Sequence, residues 1–334
     1  MAKRIGKYTL EMETPPGVVG NAAVVGKKEG EGPLGPDFDY IYEDTALGQA
    51  SWEKAESELQ KDAVSRALTK AKVSPEAVSF IFAGDLLNQC IGSTYGLRAF
   101  NIPFVGLFGA CSTMALSLAT ASVFMDSGAA ELAVAVTSSH FCSAERQFRF
   151  PLEYGGQRPP TAQWTVTGAG AAVLGQYGSP RIQHVTMGRI VDLGVKDQNN
   201  MGAAMAPAAA ETIKDFLSDT CTKPEDYDLI ATGDLGRVGS TLLYELLEKE
   251  QIDIKSRHTD CGSMIYNPSQ EEVYAGGSGC GCSASVLCSR ILNKMRSGEY
   301  KNILFIATGA LMSPTSVQQG ESIPGVAHLI HFIG

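Results

Sequence analysis

Two stretches, GLFGACSTMALSLATASVFMDSGAAELAVAVTSSHFC (106–142) and GSGCGCSASVLCSRILNKMRSGEYKNILFIATGALMS (277–313), align without a gap. Cys111 lies over Cys282, Ser112 over Ser283 and Thr137 over Thr308, each pair 171 residues apart. Each stretch reads as a glycine-rich corner, an Ala-rich helical pattern and a buried strand. A second echo links FIFAGDLLNQ (80–89) to YDLIATGDLGRVGS (227–240) through a shared Gly-Asp-Leu. Repetition of this kind marks a duplicated supersecondary unit. The chain is therefore expected to hold two α/β halves, 1–177 and 178–334, joined near Gly175 to Arg181.

Outward from the first corner, Trp52, Ala55, Leu59, Ala63 and Ala67 recur at helical spacing up to about Lys72. SFIFAGDL (79–86), PFVGLFGA (103–110) and ELAVAVTSS (131–139) read as strands, and 112–127 as a helix stopped by Gly128. Strands alternating with helices imply a parallel sheet covered on both faces. The first 50 residues are rich in Gly and Pro and read as loop.

Composition narrows the function classes. The 334 residues are 44% hydrophobic and 19% charged, enough for a large core. The net charge of −9 argues against nucleic-acid binding, which needs a basic face. It leaves room for an anionic small ligand in a pocket with its own arginines. Eight cysteines in a chain of this size, several in Gly/Ala-rich or apolar runs, read as reduced thiols of a cytosolic protein. Cys280-Gly-Cys282 lacks the spacing and the second pair of a zinc site, so no metal is expected. MAKRIGKYTL lacks the apolar segment of a secretory signal, and no apolar run is long enough to span a bilayer.

Cys111 sits where a nucleophile would, at a strand-to-helix corner, and a helix N-terminus there is expected to lower its pKa. With the duplicated unit, this corner resembles the thiolase fold, a layered αβαβα architecture. The motifs EGPLG (31–35), AGDLLNQ (83–89), FGACST (108–113), SSH (138–140), AERQFR (144–149), EYGGQ (153–157), AMAPAAA (204–210), DCG (260–262), AGGSGC (275–280), ATGAL (307–311) and ESIP (321–324) resemble, more closely, the stage V sporulation protein AD family. That resemblance implies a soluble dipicolinic acid-binding component of the sporulation VA machinery. Such a component is made in the forespore cytoplasm and held on the spore inner membrane by membrane-embedded partners. It also implies a homodimer pairing through edge strands such as 131–138.

Thiolase-fold condensing enzymes pair their cysteine with two histidines, or a histidine and an asparagine, because a developing enolate needs positioned donors. Here the strand DLIAT runs into Gly233-Asp234-Leu235, and the glycine-rich loop reads AGGSGCGCS; neither holds a histidine. No catalytic residue and no cofactor is therefore assigned, with acyl transfer through Cys111 as the alternative. His258 and His140 are the nearest substitutes. A flat dianion needs arginines or backbone N–H groups and an apolar slot. The segment 138–160 offers Arg146, Arg149 and Arg158 among Phe141, Phe148, Phe150 and Tyr154, unless these arginines are taken by Glu145 and Glu153. Helix N-termini after Cys111 and Cys282 offer N–H groups. Asp85, Asn88 and Asp234 end strands where open sheets bind ligands and are positioned to meet calcium arriving with dipicolinate. The expected ligand-binding set is Cys111, His258, Asp260, Arg146, Arg149, His140, Asn88 and Asp234.

Overall fold

The computed structural model describes residues 1–149, 158–270 and 272–334; Phe150, Glu153 and Tyr154 lie outside the described residues. The first half contributes strands β1 (Gly17–Gly26), β2 (Phe80–Gly84), β3 (Phe104–Gly106), β4 (Leu132–Ser139) and β5 (Gly168–Gly175). The second contributes β6 (Arg181–Met187), β7 (Leu229–Thr232), β8 (His258–Asp260), β9 (Asn302–Ala310) and β10 (Gly325–Ile333). Their order, β8-β7-β9-β10-β6-β1-β5-β4-β2-β3, reads the same way from both ends. In each half the three outer strands run parallel and the inner ones antiparallel. At the middle of the sheet β6 meets β1 at the pair Arg181–Gly17 and also pairs with Thr9–Glu11 of the first half.

The helices are α1 (Trp52–Ala71), α2 (Thr113–Asp126), α3 (Phe141–Phe148), α4 (Met201–Thr220), α5 (Gly236–Glu248) and α6 (Cys280–Val286). Helix α1 covers β1 and β5, while α4 covers β9 and β10 on the opposite outer face, with α5 packed against α4. Between the two halves of the sheet lie α2 and α6, and α2 touches strands of both halves. Three apolar clusters follow: an outer one around Leu59, Val64 and Val136, another around Phe216, Leu243 and Ile306, and a central one around Phe82, Met114 and Leu287. Strands buried on both faces explain why β4 and β9 read as continuous apolar runs.

The duplication extends further than the cysteine corners. Residues 51–86 superpose in kind on 200–235 at a constant spacing of 149. Ser51 and Asn200 cap their helices by accepting from the N–H of Lys54 and Ala203. Both helices are 20 residues long and end on a left-handed residue, Lys72 or Cys221. Each then makes one turn at Pro75–Ala77 or Pro224–Asp226 before its strand.

Three expectations need correction. The first 50 residues, read as loop-rich, hold the ten-residue β1 (Gly17–Gly26), buried at the middle of the sheet. PFVGLFGA pairs only over Phe104–Gly106; Leu107 to Ala110 leave the sheet to form the corner. The segment 131–138 is not an edge: β4 pairs with β2 on one side and β5 on the other, and it is buried almost throughout. The free edge of that half is β3, where Phe104 is exposed.

Candidate functional site

Cys111 lies on the corner between β3 and α2, buried but for 8% of its surface. It opens onto a cleft with about 700 Å³ of space, open solvent at the mouth included. Leu86, Phe108, Phe148, Met201, Met205 and Met312 make its walls apolar. Glu145, Arg149, Gln163, Thr165, Asn199 and Ser278 supply the polar groups.

The floor is a hydrogen-bonded relay. The Sγ of Cys111 stands 3.9 Å from the Oγ of Ser278. Behind it, Asp234 accepts at Oδ2 from Ser278 Oγ and from Gly279 N–H, both at 2.9 Å, and at Oδ1 from Thr308 Oγ1 at 2.8 Å. Burial pushes the Asp234 carboxyl up to about 6, although the Cys111 thiol and these donors pull the other way. The thiol is also pushed well above its ordinary value, first by burial and then by the charge of Asp234. This reverses the expectation that the helix N-terminus lowers it. Main-chain N–H groups at the corner are spent locally, with Ser112 N–H on Gly109 O and Thr113 N–H on Ala110 O. A thiol held protonated beside a carboxylate is a poor nucleophile, because the thiolate is the attacking form.

The same finding applies to the second helix N-terminus. Cys282 lies inside α6, not before it; Gly279 N–H serves Asp234, Gly281 N–H serves Ser139 Oγ, and Cys282 N–H serves Gly279 O. All eight cysteines are free.

Of the eight residues singled out in the sequence, three meet at this cleft. Cys111 and Arg149 line it and Asp234 underlies it. Arg149 is held by Glu145 (3.6 Å) and Asn199 (3.5 Å). Arg158 also pairs with Glu145, at 2.7 Å, and lies over the rings of Phe141 and Trp164. Arg146 faces away, pairing with Glu53 and covering the ring of Trp52. Asn88 lies beside it in a separate surface depression with Gln147.

The histidines have structural partners elsewhere. His258 bonds Thr232 Oγ1 at 2.9 Å and Tyr244 Oη at 2.8 Å, and burial lowers its pKa to about 4. His140 caps α3 by accepting from Cys142 N–H and bonds Thr45 O through Nε2. Asp260 locks the turn after β7, accepting from Thr232 Oγ1, Leu235 N, Gly236 N and Ser263 N. Asp85 is likewise buried, on Leu87 N, Ser93 N and Ser93 Oγ. Among the described residues, no cluster of three or more His, Cys, Asp or Glu side chains could hold a metal ion.

Sequence reading missed Ser278, Gln163 and the methionines. Ser278 was within reach: it sits in the glycine-rich loop searched for a histidine or asparagine, and a hydroxyl occupies that place instead. Gln163 donates to Asp234 O and Gly277 O from a segment with no motif of its own.

Comparison with known structures places the chain in a class first. It has the thiolase fold: it matches 3-oxoacyl-(acyl carrier protein) synthase III of Aquifex aeolicus at TM-score 0.57 and 14% identity, covering 96% of this chain and 100% of the other. It matches a Cys→Ala form of OleA of Xanthomonas campestris at TM-score 0.61 and 12% identity, covering 97% and 98%. Human mitochondrial 3-ketoacyl-CoA thiolase matches at 0.57 and 13%, covering 97% and 99%. The family model for stage V sporulation protein AD matches residues 6–333. Stage V sporulation protein AD of Bacillus subtilis is 47% identical over 331 residues, 99% of this chain and 98% of its own length. The chain belongs to the stage V sporulation protein AD family.

Proposed function

We propose that this protein binds dipicolinate in the cleft beside Cys111 and catalyses no reaction there. In this reading it is the soluble, peripheral member of the sporulation VA machinery, serving uptake in sporulation and release in germination. It is held on the spore inner membrane by membrane-embedded partners and paired as a homodimer across the free β3 edge. No helix among the described residues is long and apolar enough to cross a membrane. The observation that carries the reading is the site's electrostatics: the thiol is protonated, an aspartate stands in the helper position, and Arg149 faces the same cleft.

The ligand's flat ring suits the apolar walls, and one carboxylate meets Arg149 and Asn199. Isothermal calorimetry tests this. Saturable heat is expected with dipicolinate, and Arg149→Ala weakens it by about tenfold or more, as for one charge-assisted hydrogen bond. No heat at millimolar ligand overturns the reading.

A second reading, acyl transfer through Cys111, is favoured by the apolar walls with their three methionines, which adapt to flexible chains. It requires an acyl adduct on Cys111 after incubation with acyl-CoA, absent in Cys111→Ala. An unmodified mass across a broad panel removes it.

A further inference from the structure

The floor of the cleft poses a charge problem for any anion. Asp234 is completely buried, and its carboxyl accepts from neutral donors: Ser278 Oγ, Gly279 N–H and Thr308 Oγ1. Among the described residues no lysine, arginine or histidine pairs with it. The groups packed around it bring no positive charge either. The corner brings Cys111, the end of β8 brings Asp260, the helical turn after it brings Cys261, and α6 brings Cys282. Arg149 is on the cleft wall and is partly neutralised by Glu145. A dianion that places one carboxylate on Arg149 turns the other toward Cys111 and Ser278, with the Asp234 carboxylate behind. Two like charges so close in a desolvated site do not both stay ionised.

We infer that Asp234 takes up a proton when an anionic ligand fills the cleft, so that anion and proton bind together. This deepens the dipicolinate reading and rests on it. The proton comes from solvent and goes to Oδ2. That oxygen then donates to Ser278 Oγ instead of accepting from it, and the freed Ser278 O–H donates into the cleft. Ser278 thus faces the ligand as an acceptor when Asp234 is ionised and as a donor when it is protonated. The pair selects an anionic ligand group and holds it best below the titration of Asp234, at about 6.

The test is calorimetry of the full chain with dipicolinate in two buffers of different ionisation enthalpy, at about pH 7 and about pH 5. The free ligand is the dianion at about pH 7 but still partly protonated near pH 5, so its own titration is measured separately and subtracted, leaving the uptake by the protein. Near pH 7 the uptake approaches one proton per ligand, and affinity weakens by up to about tenfold per pH unit above that, as one linked proton requires. Near pH 5, where Asp234 already carries its proton, the uptake falls toward zero. All five histidines have pKa values lowered by burial, so none stands ready as an ordinary imidazole to supply the effect.

Asp234→Asn abolishes the uptake at pH 7 and flattens the pH dependence of affinity. In that variant the amide oxygen can keep Gly279 N–H and Ser278 Oγ while the NH2 donates to Thr308 Oγ1; where it does not fold, the contrast between pH 5 and pH 7 in the native chain decides. Binding with no proton uptake at pH 7 overturns the inference and leaves the dipicolinate reading standing. Uptake retained in a folded Asp234→Asn assigns the proton elsewhere and also overturns it. Absence of heat in both buffers overturns both.

Discussion

Cys111 and Cys282 occupy equivalent corners of the two halves, yet only one of them faces open space. Cys282 is sealed, with its Sγ 3.8 Å from Gly233 O inside α6. Cys111 borders a cleft. The difference follows from the helices that repeat at a spacing of 149. In the second half Met205 gives the cleft an apolar wall and Asp234 lies under its floor. The equivalent positions in the first half are Glu56 and Asp85, and they close on each other. Glu56 accepts from Ser143 Oγ at 2.6 Å and Ser138 Oγ at 3.3 Å, and Gly92, lacking a side chain, fits against both carboxyls. Burial, then the charge of Asp85, raises the Glu56 pKa well above its usual value. One copy of the unit kept a cavity, and the other filled it with satisfied polar groups.

If the corners differ in contents and not in rigidity, clamping them should matter equally. A Cβ on Gly309 would lie 2.3 Å from Gly109 O, and one on Gly170 would lie 2.2 Å from Ala284 O. Both obstacles are backbone, so neither can swing aside. Gly309→Ala, beside the Cys111 corner, and Gly170→Ala, under α6, are each expected to cost about 3 kcal/mol in denaturant unfolding. A cost below about 1 kcal/mol for Gly309→Ala alone would show the Cys111 corner to be soft and break the equivalence.

Buried imidazoles and buried carboxyls titrate oppositely; raised carboxyls lie in both halves, Glu56 and Asp85 in the first, Asp234 and Asp260 in the second. The second half buries neutral imidazoles: His258 and His328 are lowered to about 4, and His331 to about 3. A base with a depressed folded pKa binds fewer protons when folded. Its contribution is fully present above pH 6.5 and is lost as pH falls toward 4. Glu56 and Asp85 have raised folded values, so their contribution is present at low pH and lost as pH rises. His258→Gln should therefore flatten the acid loss of stability, by on the order of 3 kcal/mol at most. Hydrogen exchange of β7 and β8 near pH 5 reports the same change locally. An unchanged acid profile in this variant would assign the acid sensitivity to other groups.

The thiols give a smaller contrast. Cys282→Ala leaves a void in the core and is expected to cost about 1–2 kcal/mol, whereas Cys111→Ala, at the cleft, costs under about 1 kcal/mol. Iodoacetamide at neutral pH should modify the exposed Cys221 well before Cys111, because the Cys111 thiol is held protonated. Cys111 reacting first, by peptide mass mapping, would revive the nucleophile.

The duplication was legible because each half repeats residues whose chemistry is local: cap, glycine corner, apolar run. The position of Asp234 was legible too, since it ends a strand of a known pattern. What stayed hidden was which neighbours close on each group. His258 and His140 looked available, but Tyr244, Thr232 and Thr45 take their ring nitrogens from segments that share no motif with them. The arginines of 144–158 looked like one cluster. Arg146 lies in α3 and Arg149 just past its end, three residues on, yet Glu53 draws one outward while Glu145 and Asn199 hold the other in the cleft.

That last pair yields the smallest expected effect. The Arg146 side chain is 46% exposed; its partner Glu53 and the ring of Trp52 lie on the outer surface. An ion pair so placed is screened by solvent, and Arg146→Ala should change stability by no more than about 0.5 kcal/mol. Dipicolinate affinity should move by less than about twofold, since surface charges a Debye length from the ligand act weakly. Measured beside Arg149→Ala, this separates the cleft from the outer depression shared by Arg146 and Asn88. If Arg146→Ala weakens binding as much as Arg149→Ala does, the ligand sits in that outer depression, and the open corner at Cys111 is not what distinguishes the two halves.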